Sequence, residues 1–162
     1  MILFDYNFLN DQEIEYVLSL WKKDLIQKHR PNGPIYFDGI YLKERGLDLK
    51  LLKDNLFDVN KFTSVRLQRY NENIEQVNLF HGHKDIYNYV IFLNENFQGG
   101  ELEFETGVIV KPTKGTLVYF NNNERHKVHN CIGNKFSLVF AGNNKIPIEP
   151  HLSLRIRKNT II

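Results

Sequence analysis

The chain has 162 residues, 42% hydrophobic and 25% charged, which fits one soluble globular domain with a single core. A net charge of +2 gives no reason to expect nucleic acid or an anionic membrane as an obligatory partner. The single cysteine, Cys131, excludes an internal disulfide and fits a reducing compartment.

Met1 to Asp5 has neither a basic start nor a long apolar run. It reads as neither signal peptide nor membrane span, and the cytoplasm is the expected compartment. Asn10 followed by Glu13 forms a capping box, with Leu9 and Ile14 placed as the hydrophobic staple. Ile14, Val17, Leu18, Trp21 and Leu25 then keep helical spacing, which predicts an amphipathic helix over about residues 10–28. Pro31 to Pro34 is a turn, Ile35 to Leu42 extends from it, and Asp48 to Phe57 is a weaker helix with Leu49, Leu52 and Leu56 on one face.

From Phe62 onward the period changes to two. Segments rich in Val, Ile, Phe and Tyr alternate with turn signals at 71–73, Gly99-Gly100, Gly107, 112–115, 121–123 and Gly133-Asn134. Short strands at such spacing predict a sandwich or barrel. No internal repeat or linker interrupts the chain. One domain over 1–162 is expected: helical support over 1–60, a barrel over 62–141 and an extension over 142–162.

Within the barrel, His83-Lys84-Asp85 is followed by His126, and Lys135 comes nine residues later. Two imidazoles and a carboxylate in that order suit a mononuclear non-haem Fe(II) site with three open positions. On a strand, His83 and Asp85 point the same way, roughly 6.6 Å apart at the backbone, while Lys84 faces away. His126 must then arrive from another strand. Lys135 is placed to hold an organic acid beside the metal, since a buried carboxylate needs a cation and hydrogen bonds.

Other histidines compete for these roles. His81 shares the face of His83 and could lie near the site, and His81-Gly82-His83 offers the His-x-His of a cupin. The cupin pattern also wants a glutamate where this chain has Ile86 to Val90, and a late histidine closer to its Pro-x-Gly than His126 is to Gly115. His129 falls on the opposite strand face from His126 as a surface or supporting group. His29 and His151 read as solvent-exposed.

The segments around the ligands carry more. Phe80 precedes the first ligand by three, and Ile91-Phe92-Leu93-Asn94, Gly99-Gly100-Glu101-Leu102-Glu103-Phe104 and Pro112-Thr113-Lys114-Gly115 follow in order before His126 and Lys135. Together they resemble the 2-oxoglutarate- and Fe(II)-dependent dioxygenases, in particular the prolyl 4-hydroxylase-like branch, from about Phe62 to Phe140. The resemblance implies a mainly β fold with flanking N-terminal helices, a double-stranded β-helix (jelly-roll) barrel. It implies a hydroxylase holding Fe(II) through His83, Asp85 and His126, with 2-oxoglutarate and O2 as co-substrates and ascorbate an optional addition.

By the same resemblance, Lys135 anchors the distal carboxylate of 2-oxoglutarate, Ser137 adds a hydroxyl contact, and Tyr70, which closes a strand from Ser64, matches the tyrosine of an Arg-Tyr pair. Arg66 and Gln68 share the face of Tyr70 and become candidate pocket residues. Leu102 and Val128 would be apolar walls, and Gly99-Gly100 need have no chemical role. Three departures stand out. Most relatives carry Arg rather than Lys at 135, the spacing from His126 is one residue short, and Phe92 replaces a second tyrosine.

The implied substrate is a prolyl residue of a protein or peptide, with the segments 31–42 and 71–79 flanking the opening. A free amino acid or small metabolite is the alternative, and a non-catalytic barrel that senses 2-oxoglutarate is a third reading. No basic stripe with interleaved aromatics suggests nucleic acid.

Overall fold

Period-two alternation from Ser64 onward becomes strand wherever apolar residues can be covered on both faces of a sheet. The computed structural model describes residues 2–29, 37–50, 52, 58–74 and 79–144. Twelve strands and one α-helix are defined within them. In chain order these are β1 (Ile2–Asp5), α1 (Asp11–Ser19), β2 (Gln27–His29), β3 (Phe37–Tyr41), β4 (Ser64–Tyr70), β5 (Tyr87–Phe92) and β6 (Gln98–Gly99). Then follow β7 (Leu102–Phe104), β8 (Ile109–Val110), β9 (Leu117–Asn121), β10 (His126–Val128), β11 (Cys131–Ile132) and β12 (Lys135–Gly142).

A seven-stranded antiparallel sheet runs β1-β9-β5-β12-β4-β3-β2. Opposite it lie β10-β7-β8 and the short pair β11-β6. His81 extends β10 by an isolated antiparallel bridge to His126. This is the expected jelly-roll of two facing sheets.

The strand parity sorts the core. Leu67, Ile91, Leu117 and Leu138 face outward from the large sheet, where Ile14 and Val17 of α1 cover them in one buried cluster. Their neighbours Phe92, Val118 and Phe120 face inward and meet Leu102, Phe104 and Val110 of the small sheet. Each such side chain, once buried, contributes about 1.5–3 kcal/mol, which is what holds the two sheets face to face. Both faces being covered explains why these strands lack a clean polar alternation.

The N-terminal region departs from expectation. The capping box forms, with Asn10 Oδ1 accepting from Glu13 N at 2.9 Å and Asn10 N donating to Glu13 Oε1 at 3.0 Å. The helix nevertheless stops at Ser19, not near residue 28. Trp21 packs edge-on against Phe136 with centroids 5.1 Å apart, and a 3-10 turn at Lys23–Leu25 leads into β2. Pairing of β2 with β3, and burial of Trp21, outweigh the helical spacing of Leu25. The N-terminus is therefore more than helical support, because β1, β2 and β3 extend the large sheet at both edges. The turn at 31–34 and most of the expected helix over 48–57 lie outside the described residues.

Candidate metal and co-substrate site

Inward-facing residues of β4 and β12, with the segment before β5, line a cavity of about 380 Å³ between the sheets. His126 opens β10 and is 5% exposed. Its Nδ1 lies 3.2 Å from the carbonyl of Glu124, and a carbonyl only accepts, so Nδ1 carries the proton and Nε2 presents its lone pair. That lone pair points at His83, whose Nε2 is 3.1 Å away across stacked rings. Two adjacent ligands of one ion at about 2.1 Å stand roughly 3 Å apart, so this pair suits a shared divalent metal.

Burial and neighbouring positive charge keep both rings neutral. The His83 pKa is lowered to about 4, by desolvation first and then by His81 and Arg66. That of His126 is lowered to about 3, again by burial first, then by His81 and His83. Neutral imidazole is the form that ligates metal.

His81 joins them. Backbone hydrogen bonds of 2.9 Å in both directions pair it with His126, which brings the two rings to 4.3 Å. The ligand atoms of His81, His83 and His126 all lie within 4.8 Å of one another. Among the described residues the Nδ1 of His81 is buried with no well-aligned hydrogen-bond partner. Asp85 lines the same cavity but stands outside that three-histidine group. Its Oδ1 accepts from Asn143 Nδ2 at 3.3 Å, and its carbonyl accepts from Asn88 Nδ2 at 3.0 Å. His83 and Asp85 do not sit on a regular strand, as alternation required. They lie on the irregular segment between His81 and Tyr87, so pleating does not set their orientation, and Asp85 is held by its bonds to Asn143 and Asn88.

The expected co-substrate residues meet on another part of the wall. Lys135 and Tyr70 are paired in register across β12 and β4, and Ser137 faces Gln68 two steps along. Lys135 is only 2% exposed and donates from Nζ to the carbonyl of Gly100 at 2.6 Å. Its ammonium also sits 5.5 Å from the Tyr70 ring centroid and 5.2 Å from that of Phe92. Among the described residues no carboxylate pairs with it, and burial lowers its pKa to about 8. Among the described residues the Ser137 hydroxyl is buried with no hydrogen-bond partner, and Tyr70, pushed up to about 12 by burial, remains a neutral phenol. Tyr70 Oη accepts a long bond of 3.4 Å from Gln68, so its own hydrogen is available to a ligand. An uncompensated buried cation beside an orphaned hydroxyl is the donor set that an organic carboxylate satisfies.

Leu102, Val128 and Phe92 line the cavity as apolar wall. Gly100 has the positive φ expected of a turn glycine, and it also bears on Lys135. Its φ is +73°, a Cβ there would lie 2.9 Å from Lys135 Cδ, and its carbonyl holds the ammonium. No sequence signal separates that role from turn-making. Asn88 and Asn143, which steady Asp85, were likewise not foreseen. His129 lies on the surface side of β10, paired with Glu103 at 2.6 Å and Glu101 at 3.6 Å.

The model of the 2OG-Fe(II) oxygenase superfamily matches residues 59–141, just over half the chain. The chain belongs to that superfamily of oxidoreductases. Its fold is shared with a Pseudomonas putida prolyl-4-hydroxylase, at 18% identity and a TM-score of 0.60, covering 88% of this chain and 93% of that one. A 2OG-Fe(II) oxygenase family oxidoreductase from Burkholderia pseudomallei aligns at 13% identity and TM-score 0.65, over 88% of this chain and 87% of its own. A Trichoplax adhaerens prolyl hydroxylase in complex with a hypoxia inducible factor oxygen degradation domain peptide fragment aligns at 14% and 0.66, covering 88% and 83%. No curated protein matches the sequence. Among the described residues no helix is long and apolar enough to cross a membrane.

Proposed function

We propose that this protein hydroxylates a C–H bond of a prolyl residue in a protein or peptide, with 2-oxoglutarate and O2 as co-substrates. His83, Asp85 and His126 would hold Fe(II), and Lys135, Ser137 and Tyr70 would hold 2-oxoglutarate. The observation that carries the reading is Lys135, a buried cation without a carboxylate partner among the described residues, in the same cavity as two converging neutral imidazoles.

When bound, Fe(II) supplies the oxidative chemistry, coupling O2 and the decarboxylation of 2-oxoglutarate to succinate with insertion of oxygen into the substrate. The protein's own residues position and insulate. His126 keeps Nε2 free by donating Nδ1–H to Glu124. Asn143 and Asn88 hold the Asp85 bend, from which the carboxylate would swing to the metal edge of the cavity. The Lys135 ammonium would turn from the Gly100 carbonyl toward the far carboxylate, joined by the Ser137 and Tyr70 hydroxyls. Phe92, Leu102 and Val128 exclude water, which strengthens each of these contacts. No side-chain nucleophile or general base is required.

The prolyl assignment is supported by the shared fold with the Pseudomonas putida prolyl-4-hydroxylase and the peptide-bound Trichoplax adhaerens enzyme. It is tested by offering the Fe(II)-loaded protein proline-containing peptides, the same peptides with alanine for proline, and free amino acids. A gain of one oxygen atom at proline, with matching succinate formation, is expected. Modification of the alanine peptides or of free amino acids alone would reject it.

A further inference from the structure

Two arginines of β4 have opposite situations. Arg69 lies on the outer face, 2.7 Å from Asp38 and with its guanidinium carbon 5.3 Å from the Trp21 ring centroid, so its charge is compensated. Arg66 faces the cavity. Its Nε donates to Gln68 Oε1 at 2.9 Å, and its guanidinium carbon lies 5.0 Å from the Phe37 ring centroid. Among the described residues no carboxylate pairs with it. Arg66 lines the same cavity wall as His81, His83 and His126.

The sheet register separates the two unpaired cations. Lys135 stands opposite Tyr70 and Arg66 opposite Val139, four residues apart along each strand. That is about 13 Å of backbone. One small diacid, with one end at the metal and the other on Lys135, leaves Arg66 without a partner. Gln68 fixes the Arg66 stem through Nε, and among the described residues the two terminal nitrogens of the fork have no hydrogen-bond partner and suit a planar, two-point acceptor.

We propose that Arg66 is a specificity-determining residue that binds a carboxylate of the substrate to be oxidised, a second anion distinct from the 2-oxoglutarate carboxylate on Lys135. The substrate therefore presents a carboxylate next to the carbon that reacts. Either the C-terminus of a peptide or a free amino acid supplies that chemistry. The inference rests on the Fe(II)- and 2-oxoglutarate-dependent oxygenase reading above and not on its prolyl-peptide assignment, which the free-amino-acid outcome would replace.

The test is calorimetric and needs no turnover. Protein loaded with Mn(II) and saturating 2-oxoglutarate is titrated with N-acetyl-L-proline, N-acetyl-L-prolinamide, L-proline, and a Gly-Gly-Pro tripeptide with free or amidated C-terminus. N-acetyl-L-proline and the tripeptide acid are each expected to bind at least tenfold more tightly than their amides, and Arg66→Gln is expected to erase that preference. Arg66→Lys should retain part of it, which separates loss of charge from loss of fold. Affinity of the tripeptide acid above that of L-proline assigns a peptide C-terminus, and the reverse order assigns a free amino acid. Equal binding of acid and amide, no binding of any acid, or a preference that survives in Arg66→Gln would each overturn the proposal. So would a loss of 2-oxoglutarate affinity in Arg66→Gln as large as the loss for the acids, because Arg66 would then serve the co-substrate. If Mn(II) and 2-oxoglutarate fail to bind wild-type protein at all, the oxygenase assignment itself fails, a result separate from these.

Discussion

Replacing Lys135 with methionine removes a buried charge while nearly keeping its volume. In the ligand-free protein the ammonium has one short bond, to the Gly100 carbonyl at 2.6 Å, and no carboxylate partner among the described residues. Burial lowers its pKa to about 8 from the ordinary 10.5, so between those values the unfolded chain holds more protons than the folded one. Stability of the ligand-free protein therefore rises with pH across that window, by on the order of 3 kcal/mol. Lys135→Met should lack this rise and should melt no lower than wild type at pH 7. Binding of 2-oxoglutarate should behave oppositely. Losing one partner of a desolvated ion pair costs about 2–5 kcal/mol, so Lys135→Met should weaken 2-oxoglutarate by about thirtyfold or more while Mn(II) affinity is kept. A carboxylate beside the ammonium raises its pKa, so wild-type binding takes up a proton above pH 8 and affinity falls by up to about tenfold per pH unit there. Lys135→Arg, charged throughout, should bind with a flat pH profile. Titration calorimetry at pH 7, 8 and 9 reads all three proteins. Equal affinity of wild type and Lys135→Met at pH 7 would refute the anchor role.

The remaining predictions concern the metal and the shell around Lys135. His83→Ala and His126→Ala should each lose bound Mn(II) or Co(II) by metal analysis, whereas metal retention in both would shift the centre to His81 and its neighbours. Asp85→Ala should abolish 2-oxoglutarate turnover with little change in melting temperature, because the carboxylate is part-exposed and, among the described residues, bonded by side chain to Asn143 alone. Gly100→Ala meets both a φ of +73° and a 2.9 Å approach to Lys135, so it should destabilise by more than about 1 kcal/mol and weaken 2-oxoglutarate, read by thermal melting and calorimetry. Leu138→Ala, at a fully buried position of β12, should cost about 2–5 kcal/mol in chemical denaturation.

How much of this was legible in the sequence differs by element. The β4 boundaries, Ser64 to Tyr70, agreed to the residue because alternation there coincides with a true strand covered on both faces. The capping box at Asn10 also formed, since its bonds are local and need no tertiary context. The end of α1 was misjudged because Leu25 keeps helical spacing while the chain it belongs to is drawn into an edge strand, a tertiary effect. Strand β1 was not foreseen for the same reason: Ile2 to Asp5 becomes a strand only because β9 offers a free edge. At the site, His83, His126, Lys135, Ser137 and Tyr70 all reach one cavity, as their order along the chain implied. Less visible were the supporting contacts. Gly100, Asn88 and Asn143 act through backbone carbonyls and single hydrogen bonds, which leave no periodic mark on a sequence. Nor could parity show that Arg66 lacks an acidic partner among the described residues and Arg69 has one in Asp38, because that depends on which strand becomes the neighbour of β4.

The central claim, that this cavity carries out Fe(II)- and 2-oxoglutarate-dependent oxidation, is tested most directly by following succinate formation from 2-oxoglutarate without added substrate. The wild-type protein should produce succinate only when both Fe(II) and O2 are supplied, and Asp85→Ala should produce none under the same conditions. Succinate formed equally by Asp85→Ala, or none formed by folded wild-type protein that binds both metal and 2-oxoglutarate, would contradict the account.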